Sequence, residues 1–170
     1  MPAIFAPLRA LTLATLLSAI SSTLAASLEE WRSRSIYQVM TDRFALSPHT
    51  PWMPCETSIR PYCGGSWRGI QANLDYIQGL GADAVWISPV VANLPQYTKD
   101  GQAYTGYWQQ DLFVLNQEFG SLEDLHSLIQ AVHDRGMLFM LDVVVNHMVG
   151  TYVLHLYAPR PTRVLRLVGL

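Results

Sequence analysis

The period of the apolar positions changes several times along this chain, and the changes outline its elements. A run broken only by Asp142, Leu138-Phe139-Met140-Leu141-Asp142-Val143-Val144-Val145, ends on Asn146 and His147. Such a run, apolar on both faces, suits a strand of a parallel sheet covered above and below. Residues 35–40 and Ala84–Ile87 are two further β-prone segments, the second stopped by Ser88-Pro89. Between them Ile70, Leu74 and Ile77 recur at helical spacing, with Gly79 and Gly81 closing the helix. Ser121 heads a second helix, with Asp124 three residues on as its capping partner. Leu122, Leu125, Ile129 and Val132 form its apolar face, and Gly136 ends it. A Pro- and Ser-rich loop (45–66) and a long aromatic loop (90–117) complete the pattern. The order strand, helix, strand, helix, strand, without an internal repeat, predicts parallel β/α units and an α/β fold. Polar groups at the ends of such strands point to where these folds build their sites, so Asn146 and His147 are the first candidates.

Composition narrows the picture modestly. The chain has 170 residues, enough for one ordinary domain, and half of them are apolar. Its formal charge is −2, which implies no polyanion partner. Residues 27–149 hold all 13 acids and seven of the 11 bases, whereas the stretch from Gly150 holds Arg160, Arg163 and Arg166 and no acid. Residues 1–26 read as a secretory signal: Arg9 is the only charge, an apolar stretch spans 10–20, and small residues precede 27. The apolar stretch is too short to cross a bilayer, so a membrane anchor is the weaker reading. Cys55 and Cys63, eight apart, most simply close a local disulfide in an oxidising compartment, with two buried free thiols as the alternative. Two thiols without a nearby His pair are too few for a zinc site.

Six segments, in order and at matching spacing over residues 28–149, resemble the start of fungal secreted α-amylases. They are Ser35-Ile36-Tyr37-Gln38-Val39-Met40-Thr41-Asp42-Arg43-Phe44, Cys63-Gly64-Gly65-Ser66-Trp67-Arg68-Gly69-Ile70 and Leu74-Asp75-Tyr76-Ile77-Gln78-Gly79-Leu80-Gly81. The others are Val85-Trp86-Ile87-Ser88-Pro89-Val90, Gly106-Tyr107-Trp108-Gln109-Gln110-Asp111 and Asp142-Val143-Val144-Val145-Asn146-His147. The resemblance implies the first three β/α units of a (β/α)8 TIM barrel, truncated. It implies an enzyme hydrolysing internal α-1,4 bonds of starch-like glucans, secreted and, at full length, monomeric. Neither nucleic acid nor membrane is an expected partner. It also implies a calcium ion, with Asn146 as a ligand; an amide carbonyl is the hard oxygen that calcium prefers. His147 would bond hydroxyls of the sugar at the cleavage point, Tyr107 and Trp108 would form a sugar platform, and Cys55 and Cys63 match a local disulfide. The plain alternatives are that Asn146 and His147 cap a strand end and that Tyr107 and Trp108 are loop core. Asp142, within the strand, reads as a structural hydrogen-bonding residue.

Two positions depart from the family pattern. Thr105 stands where a His usually precedes Gly-Tyr-Trp, which weakens one sugar contact and keeps an α-glucan transglycosylase of the same fold open as an alternative. Arg60 stands where a Gln often meets sugar in the disulfide loop. A retaining glycosidase needs two carboxyl groups about 5 Å apart, and the family carries them on later strands, so the expected catalytic set here is none and the fragment by itself is expected to be inactive. The stretch 150–170, basic and apolar, is unlike the family and reads as intron read-through or a frameshift.

Overall fold

The computed structural model describes residues 25–150. The expected signal segment and the atypical tail lie outside the described residues, apart from their inner edges. In chain order the elements are α1 (Leu28–Arg32), β1 (Ile36–Val39), α2 (Thr41–Phe44), a 3-10 turn (Thr57–Ile59), α3 (Trp67–Ala72) and α4 (Leu74–Gly79). There follow β2 (Ala84–Ile87), β3 (Val91–Asn93), β4 (Gln109–Leu115), α5 (Leu122–Asp134) and β5 (Leu138–Leu141).

The three predicted strands pair in parallel in the order β1-β2-β5. Their register runs from Ile36, Ala84 and Leu138 to Val39, Ile87 and Leu141, so all three start and stop level. Parallel pairing forces each connection to cross from the end of one strand to the start of the next, and helices make those crossings. The helices are fixed by local chemistry. Ser121 accepts from the Asp124 backbone N–H while the Asp124 carboxylate accepts from the Ser121 N–H, the reciprocal cap expected from the sequence. Ser66 likewise accepts from the Gly69 N–H at the start of α3. Beyond α5, Gly136 takes a φ of +69°, left-handed backbone that glycine adopts without strain.

Helices α3, α4 and α5 bury Trp67, Ile70, Leu74, Ile77, Leu125, Leu128 and Val132 against Val85 and Ile87 of the sheet. Trp67 and Phe119 meet edge to face, with ring centroids 6.2 Å apart, and the Trp67 backbone N–H donates to the Phe119 carbonyl at 2.9 Å. Burying this apolar surface is the main stabilising term for the α/β layer.

Three details differ from the sequence reading. The helix around Ile70 is two short helices that meet at Asn73, whose side-chain amide turns back to donate to the Gly69 carbonyl at 2.8 Å. The aromatic loop contains an antiparallel pair, β3 with β4, whose register shifts twice within three residues. The third strand stops at Leu141 rather than at residue 145. Its partner β2 ends at Ile87, and Pro89, which has no N–H, cannot prolong the ladder. Val143 and Val145, expected to be buried, are therefore 61% and 93% exposed.

Candidate active site

The strand ends β1, β2 and β5 share one edge of the sheet, and the loops that follow them converge there. Beneath the loops the ends of β1 and β2 are tied by buried hydroxyls. The Thr41 N–H donates to Ser88 Oγ at 3.1 Å, and Ser88 Oγ–H donates to Thr41 Oγ1 at 2.9 Å.

Above this layer sits Asp142, the first residue after β5. Its Oδ2 accepts from the Tyr107 hydroxyl at 2.7 Å and from the Trp86 indole N–H at 3.2 Å. Tyr107 is placed by a turn that needs glycine. Gly106 has a φ of +87°, and a Cβ there would lie 3.1 Å from the Pro89 carbonyl oxygen. Burial and the bond to Asp142 push the Tyr107 phenol up to about 12, so it is a neutral donor at any physiological pH. Trp108 is held through its backbone: its N–H donates to Asn93 Oδ1 at 2.6 Å and its carbonyl accepts from the Leu94 N–H at 2.9 Å. Its half-buried indole is thereby carried on the β3–β4 pair.

His147 closes the cluster. Its Nε2 lies 3.1 Å from the Tyr107 carbonyl oxygen, which assigns the proton to Nε2, and its Nδ1 then accepts from Asn146 Nδ2 at 3.3 Å. Both residues are exposed. Four of the expected residues, Tyr107, Trp108, Asn146 and His147, thus gather at one end of the sheet. Tyr107 links Asp142 through its hydroxyl to His147 through its carbonyl.

The fifth, Arg60, lies apart on the disulfide loop. Its backbone is left-handed (φ 55°) and its carbonyl accepts from the Gln102 N–H at 2.9 Å. That loop is closed by a Cys55–Cys63 disulfide, the pairing expected above. It is anchored by a node that the sequence reading did not single out. Asp42, 2% exposed, accepts from the Cys63 N–H at 2.9 Å and from the Gly64 N–H at 3.1 Å, and pairs with the Arg43 guanidinium. Burial pushes the Asp42 carboxyl up, opposed by the Cys63 N–H and by Arg43. Arg43 also donates to the Pro61 carbonyl at 3.0 Å and lies over the Tyr104 ring, 3.8 Å from its centroid. The Asp42-Arg43 pair was visible as a motif, but neither residue type says which loop it will hold. Gln109 was also missed: its side-chain amide is fully buried and has no protein hydrogen-bond partner among the described residues.

The calcium expectation meets a limited donor set. Asn146 offers one exposed amide oxygen, whereas calcium takes six to eight oxygen ligands. Among the described residues no cluster of three or more His, Cys, Asp or Glu is placed to hold a metal. The residues present fit one corner of a calcium shell and do not build the shell.

Comparison with known proteins identifies the family. The family model for the α-amylase catalytic domain matches residues 38–155. The α-amylase mde5 of Schizosaccharomyces pombe is 56% identical over 118 residues, covering 69% of this chain and 22% of that protein. The solved α-amylase of Malbranchea cinnamomea superposes with a TM-score of 0.69 at 54% identity, covering 72% of this chain and 26% of that one. A cyclomaltodextrin glucanotransferase, CldA, superposes with a TM-score of 0.60 at 35% identity, covering 69% of this chain and 26% of that one. The chain spans about a quarter of the length of the relatives it matches. Its three parallel strands and the helices that join them correspond to part of a TIM barrel, and the chain belongs to the α-amylase catalytic-domain family.

Proposed function

We propose that this chain is one wall of the active site of a secreted α-amylase-type glycoside hydrolase that cleaves internal α-1,4 bonds of starch- or glycogen-type glucans. The observation that carries the reading is the Tyr107, Trp108, Asp142 and His147 cluster at the strand ends. It combines an aromatic surface with fixed polar groups, the combination that binds a glucose ring by its apolar face and its hydroxyls. Within the cluster each residue has its own task. Trp108, carried on the β3–β4 pair, offers an indole face for the ring. Tyr107 is kept protonated and oriented by Asp142. His147 is oriented by the Tyr107 carbonyl and by Asn146, and it is exposed, so a sugar hydroxyl can take over one of those bonds at little net cost. Asn146 would be one oxygen ligand of a calcium ion whose role is to brace this rim, and no step of sugar binding runs through it. Secretion is supported by the apolar segment at residues 10–20 and by the disulfide.

Bond cleavage belongs to a pair of carboxyl groups that the family carries on later strands. Of the acids near this edge, Asp42 is engaged by Arg43 and backbone amides, and Asp142 by Tyr107 and Trp86. The test is direct. The 170-residue chain should bind maltoheptaose in a calorimetric titration without releasing reducing ends from soluble starch. Trp108→Ala should weaken that binding at least fivefold, on the scale of about 1 kcal/mol or more for a lost aromatic contact. Undiminished binding by Trp108→Ala would overturn the assignment of the sugar surface, and turnover by the purified chain would overturn the placement of the cleaving carboxyl pair on later strands.

Thr105 supports a second reading, transfer of the glucan instead of hydrolysis, because a hydroxyl there reaches less far than an imidazole. For a chain extended through the rest of the barrel, products longer than the starting oligosaccharide would favour transfer.

A further inference from the structure

The Arg43 guanidinium sits where three segments meet and touches each of them. In the plane of the group, Nη1 donates to the Asp42 carboxylate and Nη2 donates to the Pro61 carbonyl at 3.0 Å. Nη1 also lies 4.0 Å from the Cys55 sulfur, so both ends of the disulfide loop bear on it. The face of the group is left for the Tyr104 ring, whose centroid lies 3.8 Å from Cζ. Only 23% of the Arg43 side chain is exposed, and the Asp42 side chain is fully buried. Asp42 is fixed in turn by the Cys63 and Gly64 N–H groups. The cation therefore has a seat that does not depend on Tyr104.

Tyr104 belongs to the turn that delivers Tyr107. The Gly106 N–H donates to the Ala103 carbonyl at 3.1 Å, which makes Tyr104 and Thr105 the two corner residues. The Tyr62 hydroxyl donates to the same Ala103 carbonyl at 3.0 Å, and Gly106 packs against Pro89. The first residue of the turn is thus clamped to the disulfide loop and the last to the end of β2. The corner itself is held by the Tyr104 ring on Arg43. A cation over an aromatic face attracts it more strongly as water is excluded, and this guanidinium is mostly buried. Arginine suits the task because its in-plane donors and its flat face serve different partners. A lysine ammonium, a point charge, could pair with Asp42 but would not hold Pro61 and the ring together with it.

We infer that Arg43 is a positioning residue for the sugar platform: stacked on Tyr104, it fixes the 103–106 turn and with it the placement of Tyr107 and Trp108. The inference rests on the glucan-binding reading of that platform, and one of its two readouts needs no sugar. The 170-residue chain is compared with Tyr104→Leu, Tyr104→Phe, Arg43→Lys and the Arg43→Lys/Tyr104→Leu double variant. Each is titrated calorimetrically with maltoheptaose, and its tyrosines are titrated in the ultraviolet. Tyr104→Leu should weaken maltoheptaose about three- to fivefold. It should also lower the highest tyrosine ionisation from about 12 toward 10.0, because a displaced turn loosens the Tyr107–Asp142 bond. Tyr104→Phe removes the same phenol but keeps the ring, so both readouts should stay as in the unaltered protein. Arg43→Lys should cost about twofold in affinity, and the double variant no more than Tyr104→Leu alone. Should Tyr104→Leu fail to melt cooperatively, Arg43→Lys carries the same two readouts. An affinity and a highest ionisation both unchanged in Tyr104→Leu would overturn the inference. So would losses that multiply in the double variant, or a Tyr104→Phe loss equal to that of Tyr104→Leu. Failure of the unaltered chain to bind maltoheptaose would remove the glucan reading of the platform, while the ionisation series would still decide whether Arg43 holds the turn.

Discussion

Removing the Tyr107 hydroxyl is the sharpest probe of the site because the structure fixes both its size and its pH dependence. In Tyr107→Phe the ring and its packing persist, while among the described residues Asp142 keeps only the Trp86 indole N–H as a donor. A hydrogen bond to a charged acceptor contributes about 1.5–3 kcal/mol when buried. Lifting a phenol from 10.0 to about 12 sets a similar upper bound of about 3 kcal/mol. Tyr107 and Asp142 are both only partly buried, so water replaces part of what is lost, and the expected destabilisation at pH 7 is about 1–2 kcal/mol. The pH dependence has a definite sign. The folded state holds the neutral phenol more tightly than the unfolded chain does, so the stabilisation is complete below pH 10 and disappears as pH rises toward about 12. Urea denaturation followed by tryptophan fluorescence should therefore show unaltered protein and Tyr107→Phe converging between pH 10 and 12. An ultraviolet titration at the tyrosinate band should lose its highest-pH ionisation in the variant. A double-mutant cycle with Asp142→Asn should give a coupling of about 1 kcal/mol or more. Parallel curves across that pH range, with no coupling, would show that the Tyr107–Asp142 bond does not organise the site.

Two further substitutions test the frame around it. Gly65→Ala should abolish cooperative folding or destabilise by at least about 3 kcal/mol, since its Cβ would sit 2.2 Å from the Thr41 carbonyl oxygen and 2.3 Å from that of Asp42; a melt like that of the unaltered protein would refute this. Gln109→Met should raise the melting temperature, because it removes an amide buried without a protein partner at a gain of about 1–3 kcal/mol; a lowered melting temperature would show that the amide is satisfied in solution.

What the sequence disclosed and what it hid divide along one physical line. The Ser121–Asp124 cap and the β-prone segments at 36–39, 84–87 and 138–141 were legible because local residues decide them. The β3–β4 pair was not, since Gln109, Gln110 and Asp111 have little strand character of their own and are held by partners about 20 residues away through a twice-shifted register. Tyr107 and Asp142 could each be named from their motifs, but the bond between them spans 35 positions and exists only in the folded chain. The length of the third strand shows how one local signal propagates. Ser88-Pro89 ends β2 at Ile87, so β5 has no partner beyond Leu141 and leaves the sheet one residue before Asp142. Freed from the ladder at that point, Asp142 collects the indole N–H of Trp86 from β2 and the hydroxyl of Tyr107 from the loop, and His147 can turn back to the Tyr107 carbonyl. A third strand running on to residue 145, as its apolar pattern suggested, would have held these residues in ladder geometry. The same proline also packs against Gly106, whose turn delivers Tyr107. The end of β2 thus places both halves of the cluster, a dependence that hydrophobic periodicity alone does not contain.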